Sequence, residues 1–133
     1  MNRAVTDLHS VRDYLAAPRC AVLSTLDARG APHQSVVHYF LEEAALVVNG
    51  RPDRLWVRNL RRDPRVSVVV HDEADHLHWV GVKGTARVRH EGRPAVDDAM
   101  NLAVRYGEDP QQYANLQRVT LEIVPDRVFE SAD

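Results

Sequence analysis

Six of the chain's sixteen arginines lie within fifteen consecutive residues, from Arg51 to Arg65. Three of them, Arg54, Arg58 and Arg62, are spaced four residues apart, which would place them on one face of a helix. Guanidinium groups bind phosphate through paired hydrogen bonds, and amides at a helix N-terminus also favour anions. The spacing therefore indicates either a phosphate-binding site or a solvated basic face balanced by nearby acids.

A strand, a polar corner, a short helix and a second strand are predicted around these arginines. Leu46–Val48 is apolar and partly β-branched, as in a buried strand. Asn49–Gly50 interrupts it, since both residues tolerate unusual backbone conformations. Asp53 is a candidate N-cap of the helix, which should end before Pro64. The β-branched run Val66–Val70 predicts the second strand.

The remaining chain adds more strands and predicts a mainly β fold for a single domain over residues 1–133. The other predicted elements are a helix over Thr6–Ala17 with Thr6 as its N-cap, strands over Cys20–Leu26, His33–Leu41 and Leu77–Val88, a helix over Arg93–Tyr106, and a strand over Arg118–Val128. Gly81 and Gly84 indicate a bulge or bend, and Pro125 suggests that the tail of the last strand lies at an edge. About six strands without βαβ alternation favour a small barrel with helices packed outside it.

Composition restricts the class of protein. The net charge of −2 makes the basic cluster local and argues against a nucleic-acid-binding protein. A single cysteine, Cys20, excludes an internal disulfide framework and favours a reducing compartment. No segment has the pattern of a signal peptide or the length of a membrane span. We therefore expect a cytoplasmic protein that binds neither nucleic acid nor membrane.

Other residue patterns give weaker indications of chemistry. His76 and His78 would share one face of a strand near several acids, but this generic spacing favours exposed polar residues over a metal site, and no metal is expected. His33 and His38 would lie on opposite strand faces without an evident catalytic partner. The serines lack a nucleophile elbow, and no glycine-rich phosphate loop occurs. Trp56 and Trp79, the only tryptophans, either belong to the core or cover a planar ligand.

Three segments together resemble a known family. They are RLWVRNLRRDPRVSVVV from Arg54 to Val70, the GxxGTA pattern of Gly81–Ala86 after Trp79, and the closing RVTLEIVPDRV. They resemble the split-barrel flavin and deazaflavin oxidoreductases of the pyridoxamine 5′-phosphate oxidase-like superfamily, specifically the branch that uses coenzyme F420. The resemblance covers roughly Val11 to Val128.

This resemblance implies a six-stranded split β-barrel that forms a homodimer, with cofactor sites in the grooves between subunits. It places Asn49, Gly50, Arg51, Arg54 and Arg58 near the phosphate and ribityl chain. It also implies that Ser35, Val36 and Val37 border the ring, and that Trp79 reaches the cofactor from the other subunit.

One position departs from the family pattern. Many members have a phosphate-binding lysine where this chain has Trp56, and an indole cannot donate to phosphate as an ammonium does. Arg54 and Arg58 could compensate. The ligand therefore stays open between coenzyme F420, FMN, haem and none.

The resemblance favours an oxidoreductase in which reduced F420, or alternatively FMN, transfers hydride to an unidentified small-molecule substrate. No catalytic protein residue is assigned, although His38 and Tyr39 are candidate proton donors. The main alternative is a non-catalytic protein that binds or carries a flavin, deazaflavin or haem. A nucleic-acid-binding module is a weaker alternative, which would show salt-sensitive retention on DNA.

Overall fold

The computed structural model describes residues 3–131. Within this range the chain forms eight strands, three α-helices and a short 3-10 helix. In chain order these are β1 (Arg3–Thr6), α1 (Arg12–Ala16), β2 (Cys20–Leu26), β3 (Pro32–Val37), β4 (Tyr39–Glu42), β5 (Ala45–Gly50), α2 (Leu55–Arg62), β6 (Arg65–His71), β7 (Trp79–Glu91), α3 (Arg93–Arg105), the 3-10 helix (Pro110–Tyr113) and β8 (Val119–Ser131).

All eight strands belong to one antiparallel sheet with the order β3-β2-β6-β7-β8-β5-β4, and β1 pairs with β8. The two ends of this order, β3 and β4, are consecutive in the chain and are separated only by His38. The sheet must therefore curl to bring its ends together, which gives a half-barrel with helices outside it. This architecture confirms the predicted mainly β split barrel.

Two differences explain why eight strands are present instead of about six. The predicted strand His33–Leu41 divides at His38, because its first half pairs with β2 and its second half with β5. The segment before α1 forms β1, in which Thr6 lies opposite Val128. Thr6 is therefore not a helix N-cap, and the predicted N-terminal helix is confined to α1.

The prediction that the tail of the last strand lies at an edge holds only around Pro125. β8 lies between β7 and β5, and its tail pairs with β1 from Val128 onwards. Pro125 falls between these two pairings, since β5 pairs only as far as Ile123, and its partner is Gly84 of β7 where the β7–β8 register shifts. A Cβ atom added to Gly84 would lie 2.2 Å from the carbonyl oxygen of Val124, so the two backbones approach too closely for a side chain. This confirms the bulge predicted at Gly84, and the irregular pairing also accommodates a residue without an N–H group.

The interior of the half-barrel is filled by alternate residues of the central strands. Leu23, Val68, Val80 and Leu121 are at most 2% exposed. Helix α2 packs against this core through one face, as predicted, and its buried residues are Trp56, Val57, Asn59 and Leu60. The Asn59 side chain donates to the Thr25 hydroxyl (3.0 Å), which satisfies the buried amide and fixes α2 against β2.

Helix α3 is attached to the barrel and to α1 by Arg105. The Arg105 guanidinium donates to the carbonyl oxygen of Tyr39 in β4 (2.9 Å) and to those of Leu15, Ala16 and Ala17 at the end of α1 (2.9–3.1 Å). One cation thus satisfies carbonyl groups that the end of a helix leaves without partners. None of the helices in residues 3–131 is both long and apolar enough to cross a bilayer.

Candidate functional site

A cavity of about 590 Å³ lies where β3, the end of β5, the start of α2 and α3 meet. Most of the predicted cofactor-binding residues line it, namely Ser35, Val36, Val37, Asn49, Gly50, Arg51, Arg54 and Trp56. Residues that the sequence did not indicate complete its wall, namely Ala99, Leu102, Ala103, Glu108, Tyr113, Leu116 and Arg118. The fold therefore brings the β3 segment and the β5 corner together, although they are distant along the strand order.

Two predicted residues lie elsewhere on the chain. Arg58 is exposed on α2 and does not line the cavity. Trp79 begins β7, where its ring lies 3.2 Å from the position that a Cβ atom on Gly81 would take. A contribution of Trp79 to the site of another subunit stays a prediction.

The arginine cluster separates into residues with different partners. Arg61 pairs with Glu91, and Arg65 pairs with Asp63 (2.8 Å), as expected for a solvated basic face. The Arg62 guanidinium donates to the carbonyl oxygen of Leu26 (2.8 Å). Only part of the cluster is therefore available to the cavity.

The start of α2 determines which arginines enter the cavity. The predicted N-cap Asp53 was wrong, because the N-cap is Arg54, which has an extended backbone and no capping side chain. Asp53 instead accepts a hydrogen bond from Arg51 (2.9 Å). The Arg54 amide also donates to the Arg51 carbonyl oxygen (3.1 Å), so the two residues form one tight turn. Arg54 therefore leaves the helical face that it would have shared with Arg58.

Arg118 supplies a third cation to the same end of the cavity. Burial lowers the pKa of its guanidinium, and the positive charges of Arg51 and Arg54 lower it further. Within residues 3–131, no carboxylate forms an ion pair with Arg54 or Arg118, and Asp53 pairs only with Arg51. Arg51, Arg54 and Arg118 outnumber the nearby carboxylates, which are Asp53 beside Arg51 and Glu108 beside His38, so this end of the cavity favours an anion such as a phosphate group.

Away from the arginines, apolar side chains form much of the cavity wall, together with Ser35, His38 and Glu108. Val36 is 72% exposed and Leu116 is 44% exposed, which is unusual for large aliphatic side chains. Val37, Leu102 and small alanines of α3 continue this surface. An apolar wall beside a cationic end suits an amphiphilic ligand that combines a planar ring with an anionic tail.

The base of the cavity contains Trp56, which is 6% exposed. Its indole occupies the space next to Gly50, since a Cβ atom there would lie 2.4 Å from the Trp56 Cζ2 atom. Trp56 therefore shapes the cavity by packing. It stands at the sequence position of the family's lysine, but it does not perform that residue's phosphate-binding role.

The two candidate proton donors have different surroundings. His38 lines the cavity, stacks on the Tyr106 ring with centroids 3.7 Å apart, and has its Nδ1 atom 3.8 Å from a Glu108 carboxylate oxygen. Tyr39 is buried, and its hydroxyl lies 3.1 Å and 2.9 Å from the carbonyl oxygens of Leu15 and Ala17. Burial raises the pKa of Tyr39 to about 12. The structure therefore makes Tyr39 part of the core and leaves His38 as the candidate.

Of the two histidines considered as metal ligands, His78 has protein partners. His78 lies against the Tyr14 ring (4.3 Å between centroids), and its Nε2 atom is 3.2 Å from Glu130. Across residues 3–131, no three histidine, cysteine or acidic side chains are grouped as they would be around a metal ion.

Comparisons with known proteins agree with this fold. A family model described as pyridoxamine 5′-phosphate oxidase matches residues 8–132. A conserved hypothetical protein from Mycobacterium tuberculosis is 24% identical with a TM-score of 0.76, over 93% of this chain and 83% of its own. An F420 reductase is 22% identical with a TM-score of 0.74, over 88% and 94%. HutZ, a haem storage protein from Vibrio cholerae, is 17% identical with a TM-score of 0.72, over 93% and 94%.

These findings define a split-barrel protein of the pyridoxamine 5′-phosphate oxidase type. The chain belongs to the pyridoxamine 5′-phosphate oxidase family, which confirms the resemblance to this superfamily, whereas the F420-using branch stays a prediction. The family includes oxidoreductases, whereas the solved structures at these identities establish the fold alone.

Proposed function

We propose that this protein is an oxidoreductase that binds coenzyme F420, or alternatively FMN, in the cavity between β3, β5 and α3. The proposal rests on one observation: Arg51, Arg54 and Arg118 line the same cavity as a group of apolar side chains. Both cofactors join a planar ring system to a phosphate-bearing ribityl chain, so either would match this division of charge. The F420 reductase of similar fold supports the deazaflavin.

The side chains of the cavity fit such a cofactor. Arg51, Arg54 and Arg118 would hold the phosphate, since guanidinium groups bind it through paired hydrogen bonds. Arg118 would thereby compensate for Trp56, which stands where many family members have lysine. Val36 and Val37 would border the ring. Arg58 would contribute at most a distant charge, because it lies outside the cavity.

The bound cofactor would supply hydride transfer to an electrophilic small molecule. The chain's own residues would orient the ring against the apolar wall and exclude water from its reactive face. His38 would supply a proton at the substrate, since its imidazole lines the cavity and can act as a hydrogen-bond donor there.

We further propose that two copies of the chain form a homodimer and that Trp79 of one copy completes the site of the other. The support is the exposed apolar surface at Val36 and Val69, which are 72% and 41% exposed. Sedimentation of the purified protein, compared with a Trp79→Ala variant, tests both points.

A non-catalytic carrier of haem or flavin is the second candidate function. Two observations favour it: the absence of the usual lysine at Trp56, and the similarity in fold to a haem storage protein. His38 is the cavity residue that could ligate haem iron.

Parallel titrations with F420, FMN and haemin distinguish these candidates. We expect saturable binding of F420 or FMN, followed by oxidation of the reduced cofactor in the presence of a quinone, tetrapyrrole or nitro compound. Binding without turnover across such a panel would favour the carrier. Binding of haemin alone, weakened by His38→Ala, would contradict the oxidoreductase.

A further inference from the structure

A chain of hydrogen bonds connects the cavity residue Arg118 to Asp98 on α3. Arg118 Nε donates to Asn49 Oδ1 (2.8 Å), Asn49 Nδ2 donates to the Thr120 hydroxyl oxygen (3.0 Å), and that hydroxyl donates to Asp98 Oδ2 (2.7 Å). Asn49 is 9% exposed and Thr120 is fully buried. The chain therefore runs from the cavity through buried side chains of β5 and β8 to a carboxylate on α3.

Each group in this chain is held in one orientation. Asn49 Nδ2 also donates to the Ala95 carbonyl oxygen (2.8 Å). A reversed amide would place its oxygen against that carbonyl oxygen and its NH2 group against the Nε–H group of Arg118, and both contacts would be unfavourable. The Thr120 oxygen accepts from Asn49, which directs its proton to Asp98. Asp98 is further paired with His90 (2.9 Å). All three links consequently donate in the same direction.

This direction matters for a half-buried cation. Arg118 has no carboxylate partner within residues 3–131, yet its guanidinium is partly desolvated. Hydrogen bonds that donate in series towards a carboxylate polarise one another, so they make Asn49 Oδ1 a stronger acceptor for Arg118. A carboxylate in direct contact would neutralise Arg118, whereas this indirect one stabilises the cation and leaves its charge for a ligand.

We propose that Asn49, Thr120 and Asp98 are positioning residues that fix Arg118 as the anion-binding group of the cavity. The ligand group concerned is a phosphate or a phosphate ester. This inference rests on the proposed function in one respect only, that the cavity takes an anionic ligand. It deepens that function, because Asn49 then acts through Arg118. Asp98 of α3 and Thr120 of β8 also contribute indirectly to ligand binding.

The test compares two substitutions of Thr120 in the full-length protein. Thr120→Val keeps the shape but removes the hydroxyl, whereas the matched control Thr120→Ser keeps the hydroxyl. We expect Thr120→Val to weaken binding of inorganic phosphate and of FMN by about tenfold, the scale of one charge-assisted hydrogen bond, and Thr120→Ser to stay within about twofold of wild type. Arg118→Ala should weaken both ligands at least as much as Thr120→Val does.

A second readout requires no ligand. The Arg118 Nε–H resonance should be protected from solvent exchange in wild type and in Thr120→Ser, and should exchange faster in Thr120→Val. If Thr120→Val fails to fold, Asp98→Asn replaces it, because it keeps an acceptor for Thr120 and removes only the charge. Asp98→Asn should also weaken phosphate binding.

The outcomes separate this inference from the proposed function. Phosphate binding that depends on Thr120 and Arg118, without uptake of any flavin or deazaflavin, would support the positioning chain and reject the oxidoreductase. Flavin binding that is indifferent to Arg118→Ala or to loss of the Thr120 hydroxyl would reject the positioning chain alone. Wild-type protein that binds neither phosphate nor FMN would overturn the inference.

Discussion

Gly50 and Trp56 form the contact that shapes the base of the cavity, and its perturbation gives a quantitative prediction. A Cβ atom on Gly50 would lie 2.4 Å from Trp56 Cζ2, 3.0 Å from its Cη2 atom and 3.1 Å from a methyl group of Val57. These distances are shorter than ordinary van der Waals contacts. Because Trp56 is 6% exposed, its ring has little room to retreat.

Gly50→Ala should therefore destabilise the protein by about 3 kcal/mol, the upper end of the usual range for overpacking a core. Trp56→Leu removes the atoms that clash and should by itself cost about 2 kcal/mol through lost burial. If the clash is the cause, the double variant should lose about 3 kcal/mol instead of the sum of 5, since contacting residues couple by about 0.5–3 kcal/mol. Urea unfolding of the four proteins measures this coupling.

Gly30→Ala provides the control. Gly30 has a φ of +80° and no heavy atom within 4 Å of an added Cβ, so alanine there should cost about 1–2 kcal/mol through backbone strain alone. That cost should be unchanged by Trp56→Leu. Additivity of Gly50→Ala and Trp56→Leu to within about 0.5 kcal/mol would refute the packing argument.

Three further predictions concern the rest of the fold. Gly84→Ala should lower the free energy of unfolding in urea by about 3 kcal/mol, since its Cβ would meet the backbone of β8, where no side chain can move away. Arg105→Met should lower it by about 2 kcal/mol, because four carbonyl oxygens lose a charged donor, and Arg105→Lys should restore part of the loss. Tyr39 should make the free energy of unfolding decrease as the pH rises from about 10, the pKa of Tyr39 in the unfolded chain, to about 12, its pKa in the folded protein, because only the native state favours the neutral phenol over this range. Tyr39→Phe should reduce this decrease, and thermal unfolding at a series of pH values measures it.

Sequence periodicity predicted the strands whose burial is decided locally. The β-branched runs of β5 and β6 and the proline after α2 fixed these elements to within one or two residues. The break at His38 could not be predicted, because the residues on both sides have strand character and only pairing with different neighbours separates them. Pro125 misled only about the rest of the tail, because the pairing of β8 with β1 from Val128 onwards depends on residues far away in the sequence.

The resemblance to a family predicted most of the cavity, whereas spacing along the helix misled in part. Arg58 was grouped with Arg54 by their four-residue spacing, but α2 begins one residue after Arg54. Arg118 was missed because it lies far from the arginine cluster in sequence. Gly50 pairs with Val119, so the neighbouring residues Arg51 and Arg118 lie side by side. Knowledge of the β5–β8 pairing would therefore have revealed Arg118 as a site residue. Long-range strand pairing is thus the information that the residues alone lacked.

Parallel binding titrations of Arg54→Ala and Arg58→Ala test the central claim most directly. The two arginines are four residues apart and both exposed, but only Arg54 lines the cavity. We predict that Arg54→Ala weakens binding of F420 or FMN by about tenfold to a hundredfold, as expected for loss of a charge-assisted hydrogen bond, and that Arg58→Ala changes it by less than about threefold. Equal losses in the two variants, or unchanged binding by Arg54→Ala, would contradict a phosphate site in this cavity.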